Sequence, residues 1–179
     1  MIIVLLADGF EEIEALTPID ILRRAGLDVK SVGINGKVVV GSHGISTIAD
    51  LSPEEVKLDE VSLAVFPGGM PGSLALDGSP FTDKVISALQ KSGGKLAAIC
   101  AAPLVFGRRG LLVGKNAICY PGFEKELTGA IISENPVVTD GNITTAKGMG
   151  VALEFSLELI RVILGEDKAS EISNAVMKN

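Results

Sequence analysis

The run Ile2-Ile3-Val4-Leu5-Leu6-Ala7 contains no polar position, and Asp8-Gly9 closes it with a turn signal. A strand without polar alternation buries both faces, as strands do in parallel sheets covered by helices. Val61 to Phe66 and Lys95 to Ile99 repeat the pattern, and Asp28 to Val32 predicts a second strand parallel to the first. Glu11 to Arg24 opens with acids, closes with bases and is followed by Gly26, the charge order a helix macrodipole favours. Pro18 cannot donate a hydrogen bond to the Glu14 carbonyl, so this helix is expected to kink there or to begin at Thr17-Pro18.

Farther on, Gly36 to Ile48 is glycine-punctuated and β-branched and predicts a small β excursion. Ser52-Pro53-Glu54-Glu55 reads as a short helix start. Helices are predicted over Pro80 to Lys91, from Cys100 to about Arg108, and over Glu166 to Met177. Gly148-Met149-Gly150 opens the clearest helix, with Ala152, Phe155, Leu159, Ile160 and Ile163 as its apolar stripe. Asn116 to Cys119, Val137 to Thr139 and Ile143 to Ala146 supply further strands, the last two joined by an Asp140-Gly141-Asn142 hairpin turn. With no linker or repeat, the alternation predicts one α/β domain over residues 1–179. Its mostly parallel, doubly wound sheet would carry helices on both faces.

Composition narrows the partners. The chain has 179 residues, a net charge of −6 and two cysteines. The acidic balance argues against nucleic acid or an anionic membrane as a partner. Two cysteines make no disulfide framework, and no signal peptide or membrane span is indicated, so a cytoplasmic location is expected.

Three places carry candidate chemistry. Lys95-Leu96-Ala97-Ala98-Ile99-Cys100-Ala101-Ala102-Pro103 reads as a buried strand ending in a sharp elbow before a helix. A thiol held at that helix start is expected to have its thiolate favoured. Glu14 lies in the first turn after the first strand, and Pro67-Gly68-Gly69 lets backbone amides approach a ligand. A doubly wound sheet gathers these strand ends together. No phosphate-binding or dinucleotide loop is present, and the single histidine, His43, makes no zinc cluster, so neither cofactor nor metal is expected. Cys119 reads as strand packing.

Together, Gly9-Phe10-Glu11-Glu12-Ile13-Glu14, Pro67-Gly68-Gly69, Ala97-Ala98-Ile99-Cys100-Ala101-Ala102-Pro103 and Gly148-Met149-Gly150…Glu154-Phe155 resemble the ThiJ/PfpI superfamily. The branch they are similar to is that of the parkinsonism-associated protein deglycase, and the helix end Asp20…Arg23-Arg24-Ala25-Gly26 belongs to the match. The resemblance implies a flavodoxin-like fold, a homodimer and a reactive cysteine at a strained nucleophile elbow. It makes Glu14 the carboxylic acid beside the thiolate and gives the Gly69 and Ala101 amides the oxyanion pocket, with Gly68 in the same ligand-facing turn. Tyr120, His43 and Arg24 are candidate pocket residues. Tyr120 stands where that branch often has a histidine. Ser42-His43 replaces a Ser-Arg pair that reaches toward the partner subunit's site in that family.

The implied function is cysteine-dependent chemistry on a reactive carbonyl, of glyoxalase or protein deglycase type, on a small α-oxoaldehyde or a glycated amine. The alternative is an oxidation-sensing or stress-protective protein with little turnover. Peptidase activity is the weakest reading, because no histidine follows Cys100.

Overall fold

The computed structural model describes residues 1–178. In chain order the elements are β1 (Ile2–Leu6), α1 (Glu12–Arg24), β2 (Val29–Gly33), β3 (Val38–Val40), β4 (Ser46–Ile48) and β5 (Leu63–Phe66). Then follow α2 (Gly72–Asp77), α3 (Pro80–Ser92), β6 (Lys95–Ile99), α4 (Pro103–Arg108), β7 (Asn116–Ala117) and β8 (Ile131–Ile132). Finally come β9 (Val137–Asp140), β10 (Ile143–Ala146), α5 (Ala152–Leu164) and α6 (Glu166–Ala175).

The main sheet runs β2-β1-β5-β6-β10-β9. Its first five strands are parallel, and β9 pairs antiparallel with β10 through the expected hairpin. The parallel strands therefore follow the flavodoxin-like doubly wound order. Period-two alternation along β1 explains why its sequence is wholly apolar: Ile2, Val4 and Leu6 enter the core beneath α1, α5 and α6. Ile3, Leu5 and Ala7 enter the opposite core beneath α2, α3 and α4. Each fully buried Val, Leu or Ile contributes about 1.5–3 kcal/mol, so the central strands are pinned in register.

Several elements depart from the pattern-based reading. α1 starts at Glu12 and continues through Pro18, which is buried inside it. Ala15, Ile19 and Leu22 bury on both sides of the proline, and that packing outweighs the one hydrogen bond it removes. Ser52 begins only a 3-10 turn, although its capping box with Glu55 forms as the sequence suggests. α2 and β8 carry no periodic signal, being six and two residues long.

The β3–β4 hairpin lies apart from the main sheet. The loop after β1 anchors it: Gly9 N–H donates to the Val40 carbonyl at 2.8 Å, and Val40 N–H to Asp8 Oδ1 at 2.9 Å. No helix among the described residues is long and apolar enough to cross a membrane.

Candidate active site

At the C-terminal end of β6 the chain turns through Cys100, whose φ is +65°. Left-handed backbone is costly for a residue with a β-carbon and survives only where the surroundings impose it. Cys100 N–H donates to the Ala146 carbonyl on β10 at 2.9 Å, and the Cys100 carbonyl accepts from Tyr120 N–H at 2.8 Å. The elbow expected from Ile99-Cys100-Ala101 is thus clamped on both sides. Cys100 keeps 8% of its surface exposed.

Glu14 comes to the same point from the first turn of α1 and is fully buried. Its Oε2 accepts a hydrogen bond from Gly68 N–H at 2.9 Å. The neighbouring Glu11 N–H donates to the Gly68 carbonyl at 2.9 Å, which ties the start of α1 to the loop after β5. Gly68 must be glycine: a β-carbon there would fall 2.5 Å from Glu14 Oε2 and 2.6 Å from Cys100 Cβ. Gly69 sits at φ +91°, and its amide and that of Ala101 both face the Cys100 sulfur. The Gly68 amide is committed to Glu14, so the amides left facing the sulfur are those of Gly69 and Ala101.

Glu14 Oε1 is buried and lacks a hydrogen-bond partner of good geometry, while the Cys100 thiol and the Met149 amide lie beside it. Burial pushes the Glu14 carboxyl from 4.5 up to about 7, against the nearby Cys100 thiol and the Gly68 hydrogen bond, which pull it down. Burial, then the Glu14 charge, pushes the Cys100 thiol up to about 12, and the Ala101 and Gly69 amides only partly offset this. The expectation that the helix start by itself favours the thiolate is overturned: α4 has six residues, and desolvation beside a carboxylate outweighs its dipole. Of the two groups the Glu14 carboxyl loses its proton first, at about 7, with the sulfur still protonated.

A cleft of about 310 Å³ opens next to this pair, lined by Tyr120, Lys147, Gly148, Met149, Gly150 and Val151. A β-carbon at Gly148 would sit 3.3 Å from the Tyr120 ring and 4.0 Å from Glu14 Oε1, so Gly148 lies between the cleft and the buried carboxyl. Sequence reasoning found Tyr120 but missed Met149 and its neighbours. The signal was present in Gly148 and Gly150 at the end of β10, beside the cysteine strand. A larger hollow of about 460 Å³ between β9, α5 and α6 shares no lining residue with the thiol site.

Two candidates fall elsewhere. Arg24 closes α1, ten residues or about 15 Å along the helix from Glu14, and pairs in solvent with Asp20 at 2.8 Å. It cannot line the pocket. His43 is 68% exposed and rests against Glu11 and Glu12. β7 ends at Ala117, short of the strand expected to run to Cys119; Cys119 lies beyond it, buried in the core on the opposite face of the sheet from Cys100.

Residues 1–162 match the DJ-1/PfpI family. The chain belongs to that family. It is 35% identical over 178 residues to Protein dj-1beta of Drosophila melanogaster, covering 98% of this chain and 95% of that protein. It is 30% identical over 173 residues to a Caenorhabditis elegans protein named glutathione-independent glyoxalase DJR-1.2, covering 96% and 92%. Among solved structures, oxidized Toxoplasma gondii DJ-1 superposes with a TM-score of 0.94 at 32% identity, covering 98% and 97%. The doubly wound fold with its offset hairpin is thus the fold of DJ-1 proteins.

Proposed function

We propose that this DJ-1/PfpI protein converts small α-oxoaldehydes such as methylglyoxal to 2-hydroxy acids, with Cys100 as nucleophile and Glu14 as proton carrier. The observation that carries the reading is the buried Glu14 carboxyl beside the Cys100 sulfur, with two free amides aimed at that sulfur. The name of the Caenorhabditis elegans relative supports the reaction class.

In this reading the thiolate forms by passing its proton to Glu14, then adds to the aldehyde carbon, giving a hemithioacetal. The Gly69 and Ala101 amides hold the oxygen that becomes negative. Glu14 gives its proton to that oxygen, completing the hemithioacetal. Now ionised, it takes the proton from the same carbon and returns it to the neighbouring carbon, while the hydroxyl proton passes to the ketone oxygen. The aldehyde is oxidised to a thioester while the ketone is reduced to an alcohol, so no external oxidant enters. Water cleaves the thioester, releasing the 2-hydroxy acid and the thiol. An early hemiaminal adduct of the same aldehyde reaches the same hemithioacetal by displacement: the C–S bond forms as the C–N bond breaks, and the amine leaves with the proton held by Glu14.

The outward face of the β3–β4 hairpin carries exposed Val38, Val40 and Ile48. A face of that kind calls for a partner, and we assign it to a second copy of the chain. Lactate formed from methylglyoxal tests the main reading: wild type produces it and Cys100→Ala does not, whereas equal rates would refute it.

Oxidation sensing is a second reading, favoured by the same amides and acid, which would hydrogen-bond a sulfinate on Cys100. Mass spectrometry after mild peroxide would then find the added oxygens on Cys100, and an unoxidised Cys100 would count against it.

A further inference from the structure

The first turn of α1 carries a cluster that the carbonyl chemistry does not use. Glu11 and Glu12 are each 5% exposed, and both turn their carboxylates toward the hairpin tip. His43 Nδ1 stands 3.0 Å from Glu12 Oε2 and 3.5 Å from Glu11 Oε2. Ser42 Oγ lies 3.2 Å from each of the same two oxygens. One donor atom from each of Glu11, Glu12 and His43 falls within 4.8 Å of the others.

Donors about 2.0–2.2 Å from a tetrahedral zinc-type ion stand about 3.3–3.6 Å apart. The two spacings from His43 Nδ1 to the carboxylates, 3.0 and 3.5 Å, are close to that edge length. The supporting contacts are fixed by the backbone. Glu12 Oε1 accepts from His43 N–H at 2.8 Å, and Ser42 N–H donates to the Phe10 carbonyl at 2.8 Å. Gly41 leaves the space that the Glu12 carboxylate fills, since a β-carbon there would overlap it.

Glu12 already accepts from Ser42 Oγ and from the His43 and Ile45 amides, whereas Glu11 is sparsely partnered. The nearly buried Glu11 carboxylate accepts one hydrogen bond, from Ser42. Neither it nor Glu12 has a Lys or Arg within 4 Å among the described residues, and His43 supplies a positive charge only when protonated. Two adjacent carboxylates removed from water are costly unless paired or coordinated to a metal. We propose that Glu11, Glu12 and His43 form a three-ligand site for a divalent transition-metal ion of zinc's class, with a fourth position open to solvent beside the exposed imidazole. Carboxylate and imidazole donors in a tetrahedral set suit zinc or cobalt and exclude the all-oxygen octahedra of magnesium and calcium. The site lies one helical turn from Glu14 without including it.

Cobalt titration of the full chain in a Cys100→Ala, Cys119→Ala background tests the site, because no thiolate can then bind the metal. One Co²⁺ per chain with the absorption of tetrahedral nitrogen and oxygen coordination is expected, displaced by Zn²⁺. His43→Ala, at a position exposed enough to leave folding intact, should weaken binding about tenfold or more, as should Glu11→Gln. No saturable uptake, or uptake that His43→Ala leaves unchanged, would overturn the proposal.

Discussion

Gly68 N–H holds Glu14 Oε2 at 2.9 Å across 54 positions of sequence. That bond fixes the carboxyl beside Cys100, and the missing side chain at Gly68 leaves room for it. Gly68→Ala should therefore cost about 1–3 kcal/mol by overpacking. It should also lower turnover about a hundredfold by displacing the acid from the sulfur. Urea unfolding and steady-state lactate formation measure the two effects separately.

The Glu14 shift predicts a pH dependence of stability. Burial is its main cause and raises the carboxyl from 4.5 to about 7. The folded chain thus holds this proton more tightly than the unfolded chain does. The stabilisation is complete below about pH 4.5 and is lost as pH rises through about 7. A shift of this size corresponds to something on the order of 3 kcal/mol. Glu14→Gln stays neutral at every pH and can still accept from Gly68. Its stability relative to wild type should rise by a few kcal/mol between about pH 5 and about pH 8, as read by denaturant unfolding.

Strain at the elbow predicts an order among inactive variants. Cys100→Ala and Cys100→Gly both remove the sulfur, but only glycine adopts φ +65° without penalty. The glycine variant should be the more stable of the two by about 1 kcal/mol. Thermal unfolding of the two proteins decides it, and an alanine variant of equal stability would show the elbow to be unstrained.

Much of this was legible in the sequence for physical reasons. The unbroken apolar runs at β1, β5 and β6 can only be central parallel strands, and such strands bring their C-terminal ends together. That alone brings Cys100, Glu14 and Gly69 to one point. Three things were not legible. Pro18 suggested a break because a local rule cannot see the packing of Ala15, Ile19 and Leu22 around it. The thiol's upward shift depends on burial and on a neighbouring charge, neither of which is a property of the residues next to Cys100 in sequence. The meeting of His43 with Glu11 and Glu12 depends on how the hairpin folds back over α1.

Tyr120 forms a wall of the cleft through its ring, which packs over Gly148. Its hydroxyl makes no hydrogen bond among the described residues. Tyr120→Phe should keep kcat/KM within about twofold, whereas Tyr120→Ala should raise KM with a smaller change in kcat. A large loss in the phenylalanine variant would instead make the hydroxyl a proton-transfer group.

The central claim is that Cys100 becomes nucleophilic by handing its proton to Glu14. The pH dependence of Cys100 alkylation by a small haloacetamide tests it most directly. In wild type the rate should rise with a midpoint at about 7, where the pair loses its first proton. In Glu14→Gln the midpoint should move upward, to about 8.5 or beyond, as for a thiol without an acceptor. A midpoint that is the same in both proteins would contradict the account.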